Sequence, residues 1–235
     1  MIETLSPDRP DDPLNVRALP WGSGRDHDLL DSKSFHSADE VSPIDPVAIA
    51  QQEPRGRFPW ERLDGRPLIY ASLGTLQNRI AGTFRVIAEA CDGLDAQLVI
   101  STGNGMSPEA LGNLPGDPIV VAYAPQLDLL RRATLAVTHA GLNTVLDALA
   151  IGVPIVAIPI TNEQPGIAAR VAWVGAGEAI PNKDVTLQAL RAAVVRVLSA
   201  PTYRAAAERV RDSIQAGGGA PRAAELIEQS LGLGG

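Results

Sequence analysis

Residues 135–158 read LAVTHAGLNTVLDALAIGVPIVAI, and this stretch decides the fold. It opens on an apolar run at 135–138, turns at Gly141, follows a helical period over 142–151, breaks at Gly152 and closes on a second apolar run at 154–158. Two apolar strands joined by a helix are the repeating unit of a parallel sheet, because strands covered by helices on both faces carry no polar alternation. The same alternation extends outward from it. Segments 67–72, 97–101 and 119–123 read as further strands, and segments near 82–92, 126–132 and 163–173 as helices. The pattern predicts an α/β fold, a single doubly wound, Rossmann-like parallel sheet.

The last third reads as helical. Leu187, Leu190, Val194, Val197 and Leu198 recur at helical spacing behind Thr186 as an N-cap, and the glycines at 217–219 separate the next helix from a final one over 221–231. Residues 1–57 are crowded with Pro, Asp and Ser, as in PDRPDDP at 7–13, and sustain no period. They read as a weakly ordered tail before a globular domain at 58–235.

Composition narrows the function. The chain has 235 residues, 45% of them hydrophobic, which is enough for one substantial core. Its net charge of −7 and lack of Lys/Arg clusters exclude a nucleic-acid grip that relies on phosphate neutralisation. The single cysteine, Cys91, cannot close an internal disulfide and reads as a small buried hydrophobe near a helix end. The longest apolar run, 149–160, is interrupted by Gly152, Pro154 and Pro159 and is shorter than the roughly 20 residues of a spanning helix. With no signal segment at the start, the expected address is the cytoplasm.

In a doubly wound sheet ligands sit beyond the carboxyl ends of the strands, so the turns leaving the strands are the candidate site. The turn at 138–147, THAGLNTVLD, runs from a strand directly into a helix. A helix start presents free N–H groups and positive dipole, and Gly141 would let a phosphate approach the main chain closely. His139 can donate to phosphate oxygen, while Asp147 can accept from sugar hydroxyls. On one helical face Leu142, Val145, Leu146 and Leu149 are expected to pack on the sheet, leaving Asn143, Thr144 and Asp147 toward the crevice. The same residues also fit an ordinary helix cap beside a core histidine.

Three more turns share the theme. Gly74 and Thr75 follow the strand at 67–72 in a glycine turn whose backbone could face phosphate, or could simply be a tight turn. Tyr123 and Gln126 flank Pro125, placing a ring that can stack on a base beside an amide that can pair with one; a core tyrosine and a helix-start glutamine would look alike. Glu163 and Gln164 lie in a polar loop at 159–166 and suit vicinal hydroxyls of a hexose, though a solvated loop would carry them too. There is no Gly-x-Gly-x-x-Gly and no Lys-bearing P-loop.

Taken in order, Tyr-Ala-Pro-Gln at 123–126, Thr-His-Ala-Gly-x-Asn-Thr-x-x-Asp at 138–147, Gly-Val-Pro at 152–154 and Pro-x-x-x-Glu-Gln at 159–164 resemble the donor-binding, C-terminal half of the GT-B-type UDP-glycosyltransferase superfamily. The nearest look within it is to bacterial glucosyltransferases of carotenoids such as zeaxanthin. The resemblance implies a UDP-hexose as donor substrate, inverting transfer to the hydroxyl of a small-molecule acceptor such as a carotenoid, and no metal or organic cofactor. By position it implies that Tyr123 stacks on uracil, Gln126 contacts base or ribose, and His139 meets the α-phosphate and stabilises the leaving group. Asn143, Thr144 and the Gly141 backbone would hold the β-phosphate, Asp147 the ribose, and Glu163 with Gln164 the sugar. Asp147 stands where plant relatives carry the longer Glu. Relatives place an acceptor domain with a histidine base before this one, and residues 1–57 do not resemble it. No catalytic base is assigned here, and His27 and His36 read as tail residues. The chain is therefore expected to bind donor and to transfer sugar poorly by itself. The sequence leaves open a donor-binding subunit that docks on a separate acceptor-binding chain, an inactive truncated fragment, an epimerase of related architecture, and peripheral contact with a membrane.

Overall fold

The computed structural model describes residues 58–74, 81–103 and 105–231. The expected tail, and Thr75 with it, lies outside the described residues. Six strands form one sheet: β1 (Leu68–Ser72), β2 (Gln97–Ser101), β3 (Ile119–Val121), β4 (Ala133–Thr138), β5 (Ile155–Ala157) and β6 (Gly177–Ala179). Their order is β3-β2-β1-β4-β5-β6, and every neighbouring pair is parallel. This is the doubly wound α/β arrangement that the apolar strands imply. The order reverses between β1 and β4, and a crevice opens at such a switch point beyond the strand ends.

Among the described residues there are seven helices, α1 (Ala81–Cys91), α2 (Gln126–Leu130), α3 (Leu142–Ile151), α4 (Gln164–Trp173), α5 (Leu187–Ser199), α6 (Pro201–Ala216) and α7 (Gly219–Ser230), the last of which buries none of its residues. Successive strand side chains point to opposite faces, so each strand feeds two cores. Leu68, Tyr70 and Val99 pack with α2, α3, α4 and α6, while Ile69, Ala71 and Ile100 pack with Phe84 and Ile87 of α1 and Leu190 and Val194 of α5. Cys91 ends α1, buried as expected, and burial pushes its thiol up to about 12. Thr186 caps α5 as the sequence indicates, its Oγ1 accepting from the Ala189 N–H at 3.1 Å. No helix among the described residues is long and apolar enough to cross a membrane.

Two features differ from the sequence reading. The first is the roll of α3: Thr144, Val145, Ala148 and Leu149 are its buried face, whereas Leu142 and Leu146 are 50% and 46% exposed. The spacing alone favoured the bulkier leucines. Helix packing instead turns inward Ala148, whose small side chain permits close approach, and Thr144, which has a polar partner above the sheet in Gln126. Thr144 thus parts from Asn143, which is exposed, and from Asp147, which is half-buried.

The second is β6, a strand the sequence does not announce. Gly177-Glu178-Ala179 has no apolar run, and it becomes a strand only because β5 offers an edge to pair with. Glu178 then anchors that edge. Both of its carboxylate oxygens accept from Arg196 of α5, at 2.7 and 2.6 Å, and Tyr203 of α6 donates to one of them at 2.8 Å. The Arg196 guanidinium and the Tyr203 hydroxyl hold the Glu178 carboxyl below its ordinary range.

Candidate functional site

A cleft of about 550 Å³ lies over the switch point, walled by the turns that leave β1, β3, β4 and β5. Of the residues singled out by sequence, Gly74, Tyr123, Gln126, His139 and Gly141 line it, as do Asn143, Thr144, Glu163 and Gln164. Asp147 does not form part of the wall.

The β4 turn builds the centre. Ala140, fully buried, takes a positive φ of 65°, a left-handed conformation that a residue with a Cβ rarely adopts. That kink turns the chain directly from the end of β4 into the start of α3, so the His139 ring and the first N–H groups of α3 face one space. Those N–H groups have no intrahelical carbonyl to bond and sit at the positive end of the dipole. Such a corner is chemically suited to an anion.

His139 is held from two sides by glycine. A Cβ placed on Gly74 would stand 2.7 Å from Cε1 of its ring, and one placed on Gly141 would stand 2.5 Å from Nε2. Gly74 also requires its freedom at φ 82°. Gly141 therefore gives the imidazole room, a use the sequence did not announce. Burial holds His139 below its ordinary value of 6.5, opposed by a hydrogen bond to the Ser72 backbone and by the Glu163 carboxylate.

A stability consequence follows. Folding favours the neutral ring, so between its folded pKa and 6.5 the unfolded chain binds more protons and stability rises with pH. The His139 contribution is complete above 6.5 and is lost as pH falls through the folded pKa. Urea unfolding at pH 5, 6, 7 and 8 should show the wild type losing more stability on acidification than His139→Gln. Parallel curves for the two would refute it.

Gln164 lines the cleft and also organises it. Its Oε1 accepts from the N–H of Ile160 at 2.8 Å and of Thr161 at 3.0 Å, fixing the loop that carries Glu163. Asn162 in that loop takes φ 56°, a conformation asparagine tolerates better than most residues. Glu163 itself is exposed at the mouth, ahead of α4.

The floor includes residues that sequence reasoning missed. Tyr70, 2% exposed in the middle of β1, and Ser101 at the end of β2 line it as well. Burial pushes the Tyr70 phenol up to about 12, so it remains a donor, and its hydroxyl reaches Gln126 Oε1 at 3.5 Å. The available signal was a phenol within an otherwise aliphatic strand. Gln126 Nε2 donates to Asp147 Oδ2 at 2.7 Å, and Thr144 Oγ1 lies 3.4 Å from Gln126 Oε1. A pocket with an anion corner, an aromatic wall at Tyr123 and a carboxylate at its mouth can hold a charged group, a flat ring and a polyol in sequence.

Residues 41–213 match the family described as UDP-glucoronosyl and UDP-glucosyl transferase. The chain is 37% identical over 167 residues to a zeaxanthin glucosyltransferase of Pseudescherichia vulneris, covering 70% of this chain and 40% of that one. It is 30% identical over 184 residues to an uncharacterized UDP-glucosyltransferase of Bacillus subtilis, covering 78% of this chain and 45% of that one. The crystal structure of the glycotransferase of kitacinnamycin superposes with a TM-score of 0.67 at 33% identity, over 76% of this chain and 46% of that one. The chain thus spans less than half the length of these relatives. The family resemblance read from the four turns is borne out, and zeaxanthin glucosyltransferases are among the relatives matched.

Proposed function

Because the chain belongs to the UDP-glucoronosyl and UDP-glucosyl transferase family, we propose that its cleft binds a UDP-hexose and presents it for inverting transfer to the hydroxyl of a lipophilic acceptor such as a carotenoid. One observation carries the reading. Turns far apart in sequence converge on a single cleft at the switch point, with the start of α3 opening onto it. The roles follow from the chemistry of each wall. Tyr123 offers a ring for the base, the α3 start and His139 receive the diphosphate, and Glu163 at the mouth accepts from sugar hydroxyls.

In the reaction the acceptor oxygen bonds to the anomeric carbon from the face opposite the leaving group. The bond from that carbon to the phosphate oxygen breaks, and UDP departs with the electron pair. The α3 dipole and His139 lie where that negative charge develops, which is where fixed donors lower a barrier most. The acceptor's proton goes to a general base that the family resemblance places in an acceptor-binding domain.

Calorimetric titration with UDP-glucose tests this. The wild-type chain should bind, with His139→Ala about tenfold weaker and Glu163→Ala about fivefold weaker, as expected for single hydrogen bonds to charged groups. No heat at millimolar ligand, or variants indistinguishable from wild type, would refute the assignment.

A further inference from the structure

We infer that the donor enters this cleft together with a proton, so that a His139 ring neutral in the free protein meets the diphosphate as an imidazolium. This rests on the donor-site reading above and specifies the charge state of its leaving-group stabiliser.

The ring is held in one orientation. Nδ1 lies 3.3 Å from the Thr138 hydroxyl at the end of β4. The edge formed by Cε1 and Nε2 is wedged between glycines: Nε2 would stand 2.5 Å from a Cβ on Gly141 and 2.8 Å from one on Gly74. Such clearances leave the imidazole no room to turn over and exchange its nitrogens. Gly141 is the N-cap of α3, so Nε2 lies beside the helix start.

A neutral imidazole has a single N–H, and the Ser72 carbonyl on β1 already accepts a hydrogen bond from the ring. The second nitrogen then carries a lone pair. In the free protein this suits the site, because the N–H groups at the start of α3 favour a lone pair beside them and burial disfavours a charged ring. A diphosphate reverses both influences. It neutralises the helix start, and its oxygens repel a lone pair but accept from an N–H. The ring gains a second N–H only by taking up a proton, whereupon it donates to Ser72 and to phosphate at once.

The surrounding groups agree with that outcome. Burial pushes the Tyr70 phenol of β1 up to about 12, so it stays neutral, and Asp147 of α3 accepts from Gln126 at 2.7 Å. Glu163, ahead of α4, favours the charged ring. The proton comes from solvent and returns there after UDP leaves, and the N–H bond is the only one it makes. UDP thus departs with its electron pair beside a full positive charge.

Calorimetry on the full chain with UDP-glucose at pH 7, in PIPES, MOPS and ACES, reads the proton directly. Observed heat varies with the buffer's ionisation enthalpy in proportion to the protons taken up, and the diphosphate of UDP-glucose is a diester that does not titrate near neutrality. Wild type should take up at least about half a proton per bound ligand, and His139→Gln about none. Wild-type affinity should fall by about twofold or more from pH 7 to pH 8, because the complex binds more protons than its separate components. Thermal unfolding verifies that the variant folds. Should it bind too weakly to titrate, imidazole nitrogen NMR of the wild type decides. Of the chain's three histidines, the one whose signal is missing in His139→Gln should move from neutral to imidazolium shifts on saturation with UDP-glucose at pH 7. Heat independent of buffer in wild type, equal uptake in the variant, or a ring that stays neutral overturns the inference. Wild-type protein that binds no UDP-glucose at all sinks the donor-site reading and this inference with it.

Discussion

Replacing Gly141 by alanine is expected to weaken UDP-glucose binding about a hundredfold while leaving a cooperatively folded protein. The backbone tolerates the change, since Gly141 has φ −63° and ψ 134°, ordinary values for any residue. The side chain does not. Its methyl group would stand 2.5 Å from Nε2 and 2.6 Å from Cε1 of His139, and Gly74 closes the other side of the ring. The imidazole must therefore rotate out of its slot. On the proposed donor site, loss of a hydrogen bond from His139 to phosphate would account for about tenfold, and a methyl group over the first N–H groups of α3 for about tenfold more. Crowding should lower stability by about 1–3 kcal/mol, which denaturation would register separately. Calorimetry should rank Gly141→Ala below His139→Ala. Wild-type affinity in the glycine variant would show that the ring is not confined in this way.

Gly177→Ala is expected to be the most destabilising single methyl addition in the sheet. A Cβ at that position overlaps the carbonyl oxygen of Ile155, its register partner in β5. The obstructing atom is backbone, so relief requires β6 to part from β5. Glu178 would then lose its place against Arg196 and Tyr203. Urea denaturation should show a loss of about 4 kcal/mol or more, or failure to fold. Gly166→Ala is the control. It lies within α4 with nothing within 4 Å of an added Cβ, and alanine there should be neutral or stabilising by up to about 1 kcal/mol. A Gly177 variant within 1 kcal/mol of wild type would contradict the packing argument.

The elements that sequence located share one property: their signal is local. β1, β2, β4 and β5 are buried on both faces and read as largely apolar runs, and a glycine or proline stands near the start of each helix between them. The site was legible because a parallel sheet places its ligand at the strand ends, so residues in the turns after β1, β3, β4 and β5 had to lie close together. The misses are of another kind. β6 has no apolar signature, the roll of α3 depends on what packs against Ala148, and the Tyr70 hydroxyl matters only because Gln126 sits above it.

Sequence by itself determined five of the sheet's six strands, the turns that form the cleft and the family, because each follows from hydrophobic periodicity and from short ordered motifs that persist whatever surrounds them. Tertiary structure alone decided which side chains reach the cleft and which support those that do. Asp147 faces Gln126, Gln164 ties down its own loop, and two glycines confine His139. These relations join residues up to 65 positions apart, as Gly74 and His139 are, and are set by helix rotation and by van der Waals clearances of a few tenths of an ångström. No pattern of neighbouring letters encodes a clearance, which exists only once the chain has packed.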